Sequence, residues 1–227
     1  MRKSLVLYLS TLVFLGAAII PASFADGESA SGVTTTQIEG SDNWAWNDTP
    51  LIPSTVKCPG GELEVDPFGV PSCSDSNTGR LHFRDGAAWT CMTANDTRMT
   101  GVGVYTSNGN FDANATGPVW GTWTLVPTDD CDKDGSYPED LVMNATSYWQ
   151  GSWNGQRQLY SVNGFDVWIG ALKVIGNGVG GDLDGLQFKG SEWIKTYTPY
   201  PVPYEFLPPE LGLFDAPEAV FIGTIKE

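Results

Sequence analysis

Val119-Trp120-Gly121-Thr122-Trp123-Thr124-Leu125 and, past an acidic loop, Tyr148-Trp149-Gln150-Gly151-Ser152-Trp153 are the two segments whose reading decides the fold. Side chains along a β-strand alternate between its faces. On that period Val119, Gly121, Trp123 and Leu125 share one face of the first segment. Trp149, Gly151 and Trp153 share one face of the second. Each of these faces alternates large and very small residues. Small β-barrels use that alternation to fill a tapered interior, and glycine inside a strand marks the bends that closure needs. The two segments read as antiparallel neighbours joined across Asp129 to Asp140.

The flanks continue the pattern. Gly61-Glu62-Leu63-Glu64-Val65 and Arg80-Leu81-His82-Phe83-Arg84 alternate as strands, and Asp85-Gly86 and Asn108-Gly109-Asn110 read as turns. Phe165 to Val174 is apolar on both faces. Gly176 to Gly181 reads as a glycine-rich turn, and Leu183 to Ile194 and Val220 to Ile225 as further strands. Outside the first 25 residues no segment carries a 3.6-residue period. The expected fold class is all-β: a small antiparallel β-barrel of about eight strands, with a disordered N-terminal leader and a Pro-rich C-terminal arm.

Arg2 and Lys3, the apolar run Leu5 to Ile20, and Ser23-Phe24-Ala25 have the form of a secretory signal over residues 1–25. Residues 26–56, rich in Gly, Ser, Thr and Asp, read as a flexible leader whose Trp44-Ala45-Trp46 docks on the domain. Residues 57–227 read as one barrel domain. The arm over 197–217, with Pro199, Pro201, Pro203, Pro208 and Pro209, belongs to it. The expected location is secreted, extracellular or periplasmic.

The formal net charge is −15. Such a surface repels nucleic acid and anionic membrane, so neither is an expected partner once the signal is removed. Cys58, Cys73, Cys91 and Cys131 are expected to form two disulfides in an oxidising compartment. Three pairings are open. Cys58–Cys73 is favoured because it closes a short Gly- and Pro-bearing loop, and Cys91–Cys131 because it ties a strand to the acidic loop. There is no C-x-x-C and His82 is the single histidine, so a thiolate metal site is not expected. Asn47, Asn95, Asn114 and Asn144 head Asn-x-Ser/Thr sites and mark exposed loops if the host glycosylates.

Asp130-Cys131-Asp132-Lys133-Asp134-Gly135 matches the opening D-x-D-x-D-G of a calcium loop, where alternate oxygens surround the ion and glycine makes the sharp turn. The twelfth position is Leu141 rather than Glu, so Glu139 or Asp140 stands in. The candidate calcium ligands are Asp130, Asp132, Asp134 and Asp140, and the plain alternative is an exposed acidic hairpin loop. No other cofactor is indicated. Trp89, Trp123, Trp149 and Trp153 are the candidate ligand-binding aromatics, with Trp168 and Trp193 beside them; each is either core or part of an apolar pocket or sugar-stacking platform. His82 shares a strand face with Arg80 and Arg84, where it either binds an anion or lies on a solvated outer face. Nothing of the type G-x-S-x-G supports a nucleophile.

Gly117-Pro118-Val119-Trp120-Gly121-Thr122-Trp123-Thr124-Leu125, Trp149-Gln150-Gly151-Ser152-Trp153-Asn154-Gly155, and Gly176-Asn177-Gly178-Val179-Gly180-Gly181-Asp182-Leu183-Asp184-Gly185-Leu186 together resemble the secreted barrels of the allene oxide cyclase and dirigent superfamily. The resemblance covers about residues 58–227 as a pattern of strands and glycines. It implies an eight-stranded antiparallel barrel with an apolar cavity. No catalytic residue of that superfamily falls on a matching motif here.

Three functional readings follow, led by a secreted barrel that binds a small apolar ligand in its interior without catalysis. The second is a cyclase or isomerase acting in that cavity, which predicts a buried polar group among aromatics, with His82 or Glu192 as candidates. The third is a carbohydrate-binding or cell-surface interaction module. A filled interior sinks both cavity readings and leaves an interaction or structural role; Trp120 outside, with Gln150 and Asn154, favours the surface reading. Oligomeric state is not legible from the sequence.

Overall fold

The computed structural model describes residues 33–44, 55–65, 71–74, 80–129, 142, 144–162, 165–196 and 219–227. The strands are β1 (Thr35–Trp44), β2 (Thr55–Lys57), β3 (Glu62–Val65), β4 (Pro71–Ser74), β5 (Leu81–Ala94), β6 (Gly101–Phe111), β7 (Gly117–Pro127), β8 (Tyr148–Val162), β9 (Phe165–Val179), β10 (Gln187–Thr196) and β11 (Ala219–Lys226). Strands β5 to β11 pair in sequence order, and β1 pairs with both β11 and β5. All these pairings are antiparallel, so eight strands close into a barrel. Short β2 adds to the Leu81 end of β5. The hairpin β3–β4 stands apart as its own two-stranded sheet, tied by the Cys58–Cys73 disulfide.

The Trp/Gly rows face inward, as their alternation requires. Trp123, Leu125, Trp149, Trp153, Leu172, Val174, Phe188 and Phe221 form one core. Trp123 lies across β8 toward β9, where its Nε1–H donates to the Ile175 carbonyl at 3.0 Å. That path is open because Gly151 and Gly176 lie beneath it; a Cβ at either would overlap the indole. Phe188 lies in the same way over Gly190 and Gly223 and meets Trp123 edge-on at 6.0 Å. Large rings resting on bare backbone fill the barrel. Each buried ring contributes about 1.5–3 kcal/mol over leaving it in water.

One end of the barrel is stoppered by the 3-10 turn Thr97–Met99, which sends Met99 into the core. The Asp96 carboxylate caps the turn by accepting from Arg98 N at 2.9 Å. Arg98 pairs with Asp96 and with Glu227 on the far side of the barrel mouth, both at 2.8 Å. The Arg98 carbonyl accepts from Trp149 Nε1 at 2.7 Å. Hydrogen bonding to Arg98 holds the Asp96 carboxyl below its usual range. At the opposite end, buried Arg157 lies over the rings of Phe111 and Trp168, at 5.3 and 5.6 Å.

Several sequence expectations need correction. The barrel does not begin at residue 57: β1 and part of β2 lie within the 26–56 segment expected as a flexible leader. Among the β1 side chains with described burial, Ile38 and Asp42 are the buried ones, with Gly40 between them, so little hydrophobic alternation announced the strand. Asp85-Gly86 is not a hairpin turn. It is a bulge inside β5, with Asp85 at φ 57° and a register shift between Phe83 and Gly86. Asn108-Gly109-Asn110 is not a turn either; β6 runs on to Phe111. The glycine-rich turn begins later, since β9 continues to Val179 and the chain reverses through Gly180 and Gly181, both at positive φ. Residues 1–25 and the arm over 197–217 lie outside the described residues.

A Cβ at Gly121 would overlap the Thr106 carbonyl oxygen, whereas at Gly170 it would meet its nearest atom at 3.7 Å. Gly121→Ala is therefore expected to cost about 2–4 kcal/mol by overpacking, and Gly170→Ala under about 1 kcal/mol. Urea midpoints of the two variants against the parent protein check this contrast.

Candidate functional site

Outward positions of β6, β7 and β8 build a largely polar surface around one tryptophan. The chain has 27 acidic residues, yet these three neighbouring strands contain none. Trp120 on β7 stands on the outer side, half-buried, between its neighbours Val119 and Gly121 that face the core. It is directly opposite Asn108 on β6 and Asn154 on β8. The Arg84 guanidinium lies over the Trp120 ring at 5.1 Å. Arg84 is itself fixed: it donates to the carbonyls of Phe83 and Gly109, each at 2.7 Å, and to Asn110 Oδ1 at 2.6 Å. Asn108 accepts from the Asp85 amide at 3.2 Å and donates to the Trp120 carbonyl. The bulge in β5 is what aims Arg84 and Asp85 at β6 and β7.

One step along the strands, Thr106 and Thr122 share a hydrogen bond at 2.7 Å, and Ser152 stands opposite Thr122. One step further, Gln150 stands opposite Thr124. Gln150, Ser152 and Asn154 are exposed, and their side chains make no hydrogen bond among the described residues. Their amide and hydroxyl groups are therefore unspent.

The interior holds a second polar group of interest. Glu192 on β10 is 2% exposed, with Phe221 on one side strand and Leu172 on the other. Its Oε1 has no hydrogen-bond partner. Tyr105 from β6 and Asp42 from β1 are buried nearby, and the Tyr105 hydroxyl lies 3.6 Å from Met92 Sδ. Burial raises the Glu192 carboxyl to about 8, because the charged form loses its hydration there. Burial first, then the charges of Glu192 and Asp42, hold the Tyr105 phenol well above its usual range. A cavity of about 10 Å³ lies against Glu192, Tyr105, Met92, Met99, Trp123 and Phe188. That is room for a single water molecule.

The residues singled out in the sequence fall as follows. Trp123, Trp149 and Trp153 are core, and Trp89 and Trp168 are also buried. Trp193 is 40% exposed on the outer side of β10. The aromatics therefore do not form one platform. His82 is half-buried at the rim of the outer surface, between Lys57 of β2 and Asn110 of β6. Cys58 and Cys73 pair as expected, and Cys91 is also disulfide-bonded. Its expected partner Cys131, and the candidate calcium ligands Asp130, Asp132, Asp134 and Asp140, lie outside the described residues. Among the described residues no three His, Cys, Asp or Glu side chains converge as a metal site, and no helix is long and apolar enough to cross a membrane. The sequence pointed to Glu192, and to Arg84 as a companion of His82, but not to Asp42 or Tyr105. A lone polar residue in an inward register position was the available signal for Asp42.

A raised carboxyl pKa makes a definite pH signature. Below about 4.5, the ordinary value, Glu192 is protonated whether the chain is folded or not. Between there and about 8 the unfolded chain ionises while the folded one keeps its proton, so stability falls as pH rises. Glu192→Gln removes the ionisation, and its stability is expected to lose that slope. Urea titrations of both proteins from pH 4 to 9 measure it; parallel curves would refute the assignment.

No protein-family model, no curated protein and no solved structure matches this chain.

Proposed function

We propose that this chain is a secreted interaction module whose binding face is the outer surface of β6–β8 around Trp120. The observation that carries the reading is the placement of Trp120 outside, with Asn154 directly opposite and Gln150 nearby, in three strands free of acidic residues. The cavity beside Glu192 supports the same reading, because among the described residues it leaves about one water's worth of space, too little for an organic molecule as it stands. The signal-like residues 1–25 and the disulfide support secretion.

A second reading rests on Glu192. A buried carboxylic acid with an unpartnered oxygen costs about 1–3 kcal/mol, a cost usually retained for a reason. Neutral at pH 7, it is a hydrogen-bond donor among aromatic rings. It suits a small, mostly apolar ligand with one acceptor oxygen, admitted by movement of the pliable Met92 and Met99 side chains. The resemblance to cyclase and dirigent barrels extends to a barrel with an apolar cavity and carries no catalytic role to Glu192.

Two measurements separate the readings. Native mass spectrometry of the secreted protein is expected to show no small organic adduct; one that is lost on denaturation and absent from Glu192→Gln would favour the interior. Sedimentation with surface and matrix material of the source cells is expected to retain the protein. The Gln150→Ala, Asn154→Ala double variant should reduce the retained fraction about tenfold, and equal retention would sink the surface reading.

A further inference from the structure

We infer that the face around Trp120 takes an uncharged carbohydrate chain, an inference that rests on the surface reading above. Strands β6 to β8 carry no carboxylate, and exposed Asp85 of the β5 bulge stands at their border as a lone one rather than a cluster that would bind cations or basic peptides. The face's nearest cation, Arg84, is committed to two carbonyls and an amide oxygen, so it is not a docking point for phosphate or sulfate. The buried core of a protein interface is more apolar than its rim, and here the exposed groups beside Trp120 are, apart from Pro118, amides and hydroxyls.

What the face offers fits a sugar. An Asn or Gln amide presents a donor and an acceptor side by side, which matches a pair of neighbouring hydroxyls. Gln150 and Asn154 present such amides unspent, with the Ser152 hydroxyl between them on the same side of β8. An indole presents a flat apolar surface beside polar ground, which matches the C–H side of a pyranose ring. Trp120 is already held by Arg84, so little side-chain freedom is lost when a ring stacks on it. Outward groups recur about every 6.7 Å along a strand and about 4.8 Å between strands. Such a grid engages several sugars of an extended chain rather than a single monosaccharide.

The test is calorimetric titration of the secreted protein with soluble fragments of neutral polysaccharides: glucan, mannan, xylan and chitin oligomers. Heparin and alginate oligomers serve as charged comparators. Binding of at least one neutral series is expected, strengthening with chain length and changing less than about twofold when salt is raised tenfold. Asn154→Ala and Gln150→Ala, both exposed and remote from the core, should each weaken it about fivefold or more. Trp120→Ala should abolish it, with an unchanged thermal midpoint for the two amide variants. Absence of neutral binding, salt-sensitive binding of the charged oligomers alone, or affinity indifferent to the amide variants would overturn the inference. If the double variant still loses retention on cell material while no neutral oligomer binds, the surface reading stands and the carbohydrate inference falls.

Discussion

Closure depends on β1. It pairs through Thr35–Asp42 with β11 and through Gly40–Trp44 with β5. Remove it and the remaining seven strands are an open sheet with two unpaired edges, each a row of unsatisfied backbone groups. The sequence spends little apolar surface on this strand. Its contribution is two ladders of backbone hydrogen bonds and the narrow residues Gly40 and Asp42, which let Phe221 and Tyr105 occupy the interior beside it.

Once the ring is closed, the inner surface has to be filled, and the filling is done by few, large residues. Trp123 lies over glycines of the next two strands, and Phe188 over Gly190 of its own strand and Gly223 of β11. The arrangement trades the side chains of two strands for one ring that spans both. Close packing of this kind leaves little tolerance for added volume. It also buries Glu192 beside room for a single water, and that burial raises its carboxyl to about 8, so it is neutral near pH 7, where surface carboxylates are charged. The stopper at Thr97–Met99 and the Arg157 stack at the other end seal the same interior from both mouths.

Much of this was legible in the sequence, and the exceptions have physical causes. Period-2 alternation identified the inward rows of β7 and β8, because Trp and Gly differ so much in size that their order is visible without partners. Secretion chemistry identified Cys58–Cys73. The β1 strand was hidden because its described buried side chains are Ile38 and Asp42, with Gly40 between them, a pattern that reads as loop. Asp85-Gly86 misled because the same dipeptide suits a turn or a bulge; the length of β6 decides which, and that lies in another segment. Asp42 and Tyr105 were missed as companions of Glu192 because three strands distant in sequence bring them together. Trp120, Gln150 and Asn154 were legible as one outer face from period 2 alone, but the place of Asn108 and Arg84 beside them was not, because the bulge at Asp85 sets it.

The double pairing of β1 also orders events in time. β5 to β10 can pair with sequence neighbours as each is made, but the seam is completed only when Thr35–Asp42 meets Ala219–Lys226. Contacts so far apart in sequence are slow to form. Until they do, the aromatic rings of the inner rows face an incomplete container. A chain built this way spends its early life as an unsealed sheet, with its aromatic rows open to whatever the chain meets first.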